Sequence, residues 1–267
     1  MYKKLYGYYD LPRNVAKQID SVVNVFRTNL GNQLVGVYLH GSIVLNAFHH
    51  KTGDIDILVV VEAAMDVCTK LSIAKDIIAI DGKPRPLEIS AITLNEARHW
   101  KTPGQCVFHY SDYWTEQYKA RLEDDSVALY VVDYEFPDAD VTSYIKLLKQ
   151  SGITLYGKEI AETFADVSDE DFWDAISAEI DDYDFHDYQP RYFASNILIL
   201  GRILSFKIEK KILSKFDGGL WMIEHVPKEL QYLPKRAMDI WFNDEEGELP
   251  EEELKKLKDY LISEIKK

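Results

Sequence analysis

The stretch GDIDILVVV, residues 53–61, decides how this chain is read: an apolar run of strand length that opens on two carboxylates placed two residues apart. Successive side chains of a β-strand point to opposite faces, so Asp54 and Asp56 project together while Ile55 and Ile57 turn toward a core. Two convergent carboxylates offer the hard oxygen ligands that Mg²⁺ prefers, and leave room for waters and substrate phosphates. On either side, LVGVYLH (34–40) and PLEISAI (86–92) are short runs of β-branched and aliphatic residues that read as two more strands of one sheet. Glu88 lies within the third run, with Leu87 and Ile89 pointing the other way. If the strands pair, Glu88 reaches the space of the two aspartates, as a third metal ligand or as the general base that takes a proton from an attacking hydroxyl.

Between the first two strands stands Gly41-Ser42, followed by an apolar helix start from Ile43 to Phe48. Glycine lets backbone approach a phosphate, and a serine hydroxyl with helix N-terminal amides can donate to it. Either signal alone is weak. Strand, Gly-Ser turn, Asp-x-Asp opening a strand and an acid inside the next strand together place each part where metal-dependent phosphate chemistry requires it. No GxxxxGK[ST] and no GxGxxG occurs in the chain, so P-loop kinases and Rossmann dehydrogenases lack their phosphate cradle.

The remaining sequence bounds the setting. At 267 residues there is length for two domains, each with its own core. Its 31 Lys and Arg against 45 Asp and Glu give a net charge of -14, which repels nucleic-acid phosphates and attracts metals and cationic ligands. Two cysteines without metal or redox spacing suit a reducing compartment. The N-terminal MYKKLYGYYDLPRN lacks an apolar signal core, and no run approaches the length of a membrane span. A cytoplasmic monomer is expected, with no nucleic-acid or membrane partner.

Helical spacing covers Arg13 to Asn29 and, between the second and third strands, Glu62 to Ile80, so the first domain is α/β. After Thr102-Pro103-Gly104 comes an aromatic stretch, FHYSDYWTEQY, in which Tyr113 and Trp114 are candidates for the wall of a sugar or adenine pocket. The run VALYVVDY beyond it suits a strand or a helix start. Helical patterns then dominate: 140–151, a helix opened by Ser168 with Asp171 three residues on, 193–210, 217–225, 228–243, and 250–267 with Leu254, Leu257, Leu261 and Ile265 on one face. The expected organisation is a nucleotide-binding α/β domain with a mixed sheet over residues 1–137, and an all-α bundle over 138–267.

The pattern resembles the nucleotidyltransferases of the DNA polymerase β superfamily. More closely, LVGVYLHGS, GDIDILVVV, RPLEIS, FHYSDYW, SGITLYGKEIAETF and LGRILSFKIEKKILSKFDGGLWMIEHVP resemble the aminoglycoside adenylyltransferases of the streptomycin/spectinomycin type. That resemblance implies ATP as co-substrate and two Mg²⁺ ions. It assigns Gly41, Ser42, Asp54 and Asp56 to nucleotide and metal, Glu88 to the catalytic base, and Arg202 and Lys215 to the triphosphate, in a cleft between the domains. AMP would pass to a hydroxyl of a cationic aminoglycoside or aminocyclitol, with Glu88, Tyr113, Trp114 and Asp187 at the acceptor. The sequence departs from the family at Tyr192-Phe193-Ala194-Ser195, where relatives carry an acidic pair followed by Arg-Asn, and Tyr113 stands where some carry Trp. Residues 162–190 hold eleven acids and no Lys or Arg, so Asp182, Asp184 and Asp187 offer another source of negative charge for such a substrate. Adenylylation of a protein or a different metabolite, and nucleotide binding without turnover, are the alternatives.

Overall fold

The computed structural model describes residues 2–178, 180, 190–243 and 251–267. By Cα proximity, residues 6–172 form one compact unit, and residues up to 5 with 173–267 form a second.

The first unit is built on six strands: β1 (Leu34–Leu39), β2 (Ile55–Val61), β3 (Leu87–Thr93), β4 (Gly104–Tyr110), β5 (Phe136–Asp138) and β6 (Ile153–Gly157). Their spatial order is β5-β4-β3-β2-β1-β6. Only the β2–β3 pair is parallel; β1–β2, β3–β4, β4–β5 and β1–β6 are antiparallel, so the sheet is mixed as expected. A parallel pair needs a long crossover, and the helix Val67–Ile80 supplies it. It begins later than the periodicity suggests because the Asp66 side chain accepts from Thr69 N at 2.7 Å and caps it there.

Strands β2 and β3 occupy the middle of the sheet, covered on both faces, which is why they read as nearly continuous apolar runs. Within β2 every residue except Asp56 is buried. The helix Arg13–Leu30 buries Val15, Ile19, Val22 and Phe26, and the Phe26 ring meets Phe108 of β4 edge-on at 6.3 Å. Each such side chain contributes about 1.5–3 kcal/mol by leaving water, more than the weak intrinsic helix preference of its β-branched residues opposes.

Two segments take forms that local pattern does not dictate. VALYVVDY yields a short helix, Tyr130–Asp133, rather than a strand. The buried Lys70 ammonium donates to the carbonyls of Val132 (2.9 Å) and Tyr134 (3.3 Å), so those groups are not available to a sheet partner. Ile153–Gly157 lies beyond residue 137, in a region read as helical, yet it pairs with β1 and extends the sheet unit.

In the second unit the helices Pro190–Glu209, Lys215–His225, Tyr232–Asn243 and Glu251–Lys266 share one apolar core. Leu254, Leu257, Leu261 and Ile265 are all buried in it. A Cβ at Gly219 would lie 2.6 Å from Met238 Cγ, so the helix Lys215–His225 packs close only because that position has no side chain.

Candidate active site

The parallel register of β2 and β3 sets Asp56 directly opposite Glu88. Asp54, on the approach to β2, completes a set of three half-buried acids, each offering one oxygen, with those atoms all within 4.8 Å of one another. Among the described residues these are the acids, histidines and cysteines that converge in this way. Burial, and then the nearby Asp54, push the Glu88 carboxyl up from 4.5 to about 7; Tyr144 pulls the other way by donating its hydroxyl to Glu88 Oε1 at 3.0 Å. Carboxylates so close repel one another, and a divalent cation among them relieves that repulsion. The donor set, all hard oxygens, suits Mg²⁺ better than zinc or copper.

The turn after β1 forms one side of this cluster. His40 N–H donates to the Asp56 carbonyl at 3.0 Å, tying the turn to β2. Gly41 follows at φ +70°, a left-handed conformation open to glycine. A Cβ there would also run into the Asp56 side chain, 2.8 Å from its Cβ and closer still to its carboxylate. Ser42 Oγ is buried with no hydrogen-bond partner among the described residues. An unpartnered buried hydroxyl beside a glycine can donate to an anionic ligand.

His40 is itself 2 % exposed, held neutral because burial pushes its pKa down to about 3. Its ring stacks on Tyr144 at 4.4 Å and 26°. Neither residue is signalled by the sequence. His40 sits in a strand-end tripeptide, and Tyr144 is one aromatic on an amphipathic helix, Asp140–Ser151, which carries no motif.

The other expected residues lie on other elements of the chain. Tyr113 and Trp114 lie on the short 3₁₀ turn Asp112–Trp114 after β4, Tyr113 72 % exposed and edge-on to Trp114 at 5.1 Å. Arg202, on the helix Pro190–Glu209 of the second unit, donates from Nε to the Leu213 carbonyl at 2.8 Å. Lys215 opens the next helix, whose cap is Ser214, and its ammonium lies 4.6 Å from the centre of the Trp241 ring. In the stretch that departs from the family pattern Tyr192 is exposed, while Phe193, Ala194 and Ser195 are buried. Asp182, Asp184 and Asp187 lie outside the described residues. No described helix is long and apolar enough to cross a membrane.

Comparison with known proteins bears on the whole chain. Residues 162–264 match the family described as aminoglycoside adenylyltransferase, C-terminal domain. The spectinomycin 9-adenylyltransferase of Campylobacter jejuni is 22% identical, over 93% of this chain and 95% of its own length. An aminoglycoside (3'') (9) adenylyltransferase of Escherichia coli is likewise 22% identical, with 95% of each chain covered. Among solved structures, a spectinomycin adenyltransferase from Enterococcus faecialis, crystallised with ATP and spectinomycin, superimposes with a TM-score of 0.80 at 24% identity, covering 94% of this chain and 99% of that one. That likeness establishes the fold: a mixed six-stranded sheet followed in the chain by a helical bundle.

Proposed function

From this similarity to the aminoglycoside adenylyltransferases, held over 95% of the chain, and from the acids that converge in its sheet, we infer that the chain is an adenylyltransferase of that type. It transfers AMP from ATP to a hydroxyl of a spectinomycin- or streptomycin-type antibiotic and releases pyrophosphate. The observation that carries the reading is the pairing of Asp56 with Glu88 across β2 and β3, with Asp54 beside them.

Asp54 and Asp56 are the residues to hold Mg²⁺, which when bound offsets phosphate charge and orients the triphosphate. Ser42 donates its otherwise unpartnered hydroxyl to a phosphate oxygen, and Gly41 leaves the space that brings backbone and phosphate together. The acceptor hydroxyl forms a bond to the α-phosphorus as the bond from that phosphorus to pyrophosphate breaks. Its proton passes to Glu88, whose pKa near 7 suits a base working at neutral pH. Tyr113, Trp114 and Asp187 are assigned to the acceptor, whose ammonium groups the strongly acidic chain attracts.

The test is pyrophosphate release with ATP and Mg²⁺ across a panel holding spectinomycin, streptomycin and unrelated aminoglycosides. Release that depends on spectinomycin or streptomycin, and stops when EDTA removes the metal, is the expected result. Silence with every drug, in protein that still binds ATP, would move the acceptor to another class.

Arg202 and Lys215 are assigned to the triphosphate. Losing one charge-assisted hydrogen bond of about 1.5–3 kcal/mol, Lys215→Ala should raise KM for ATP by roughly ten- to a hundredfold. Thermal stability should change little, since Lys215 is outside the apolar core of its unit. An unchanged KM for ATP removes that assignment.

A further inference from the structure

The Glu88 carboxylate is held by a side chain 56 residues further along the chain. Tyr144 stands on the helix Asp140–Ser151, which is anchored by buried Val141, Ile145 and Leu148. The contacts close a circuit. The Asp56 backbone carbonyl accepts from the His40 backbone N–H, the His40 ring stacks on Tyr144, the Tyr144 hydroxyl donates to Glu88, and Glu88 faces Asp56 in register. Two aromatic rings outside the set of acids thus adjoin Glu88, Tyr144 directly and His40 through its stack on Tyr144.

We propose that Tyr144 is a positioning residue for Glu88: its hydroxyl holds one carboxylate oxygen so that the other is presented to the acceptor hydroxyl, and the buried His40 ring holds Tyr144 in place. The inference rests on the adenylyltransferase reading of the site. A base must lie within hydrogen-bond reach of the proton it takes, and a glutamate side chain with three free torsions loses that geometry unless a neighbour restrains it. Burial, with Glu88, Asp140, Asp138 and Asp56 nearby, raises the Tyr144 phenol well above 10. Tyr144 therefore stays protonated at working pH and donates; it is not itself the base. The buried His40 ring supplies a flat surface for the stack, 4.4 Å from the Tyr144 ring at 26°.

The experiment uses Tyr144→Phe, which keeps the ring and its stack and removes one hydroxyl. Loss of a hydrogen bond that orients a reacting group typically costs about 10–100-fold, and that fall is expected in kcat. KM for ATP and for the acceptor should stay within about twofold, because neither substrate loses a contact. In a Glu88→Gln background the same hydroxyl should matter little, since the double variant loses no further orientation of the base. A second readout is independent of turnover. In protein labelled with ¹³C at glutamate carboxyls, the Glu88 resonance, identified by its loss in Glu88→Gln, should shift in Tyr144→Phe.

An active wild type with Tyr144→Phe equal to it in kcat overturns the proposal. So does a Glu88 resonance that stays in place, or a loss in Tyr144→Phe that recurs in full in the Glu88→Gln background. A wild type without turnover on any drug counts against the function instead, and the resonance then decides the positioning role alone.

Discussion

Replacing Glu88 by Gln is expected to lower AMP transfer by about 10²–10⁴-fold, the usual contribution of a positioned base, while ATP binding persists. The amide is nearly the same size and still accepts from Tyr144 through its oxygen, so the site keeps its shape and loses only the group that takes the proton. Near-wild-type transfer in this variant would sink the base assignment.

The same change should stabilise the metal-free protein. The Glu88 carboxyl is pushed up from 4.5 to about 7 in the fold, so its ionised form is the disfavoured one. Below pH 4.5 the group is protonated in both folded and unfolded chains and costs nothing. As pH rises toward 7 the unfolded chain loses its proton first, and stability falls; above 7 the penalty is complete. Glu88→Gln removes a cost on the order of 3 kcal/mol, so melting temperatures in EDTA should exceed the wild type's at pH 8 and match them near pH 4. A variant that melts lower at pH 8 would show that the carboxylate contributes to folding rather than opposing it. Such a gain is what a functional site predicts, where stability is given up to hold like charges together.

The second large effect is expected from Gly41→Ala. A left-handed conformation costs a residue with a Cβ about 1–2 kcal/mol. The new methyl would also occupy the space of the Asp56 side chain. Since β2 is fixed by pairing on both sides, backbone has little freedom to yield. The Asp56 carboxylate must swing away, and it leaves the set it forms with Asp54 and Glu88. Activity should therefore fall by about 10² or more, far beyond the modest loss of melting temperature, because a displaced charge-bearing ligand removes transition-state stabilisation. Full activity in a folded Gly41→Ala protein would show that the aspartate does not have to stand where the structure puts it.

Much of this site is legible in residue order. Asp54, Asp56, Gly41 and Glu88 announce themselves because each obeys a local rule: two carboxylates at the strand period, a glycine at a turn, an acid that breaks an apolar run. Burial of β2 at every residue but Asp56 is that pattern realised. Helix boundaries also follow from local signals; Ser168 accepts from Asp171 N at 2.9 Å, as the capping pair implies. Ile153–Gly157, by contrast, carries half-buried and exposed residues at a sheet edge and shows no run that marks a strand; only its partner β1 makes it one. VALYVVDY is apolar enough for either form, and a lysine more than fifty residues away decides it.

Sequence alone thus determined which groups are candidates for the chemistry, since side-chain direction along a strand and the backbone freedom of glycine are properties of neighbouring residues. Tertiary structure decided how those groups are held. A slip of one residue between β2 and β3 would turn Glu88 to the opposite face, and that register is set by packing across the whole sheet. Tyr144 and His40 join the site through contacts between distant segments, whose free energy exists only once the chain has closed around them.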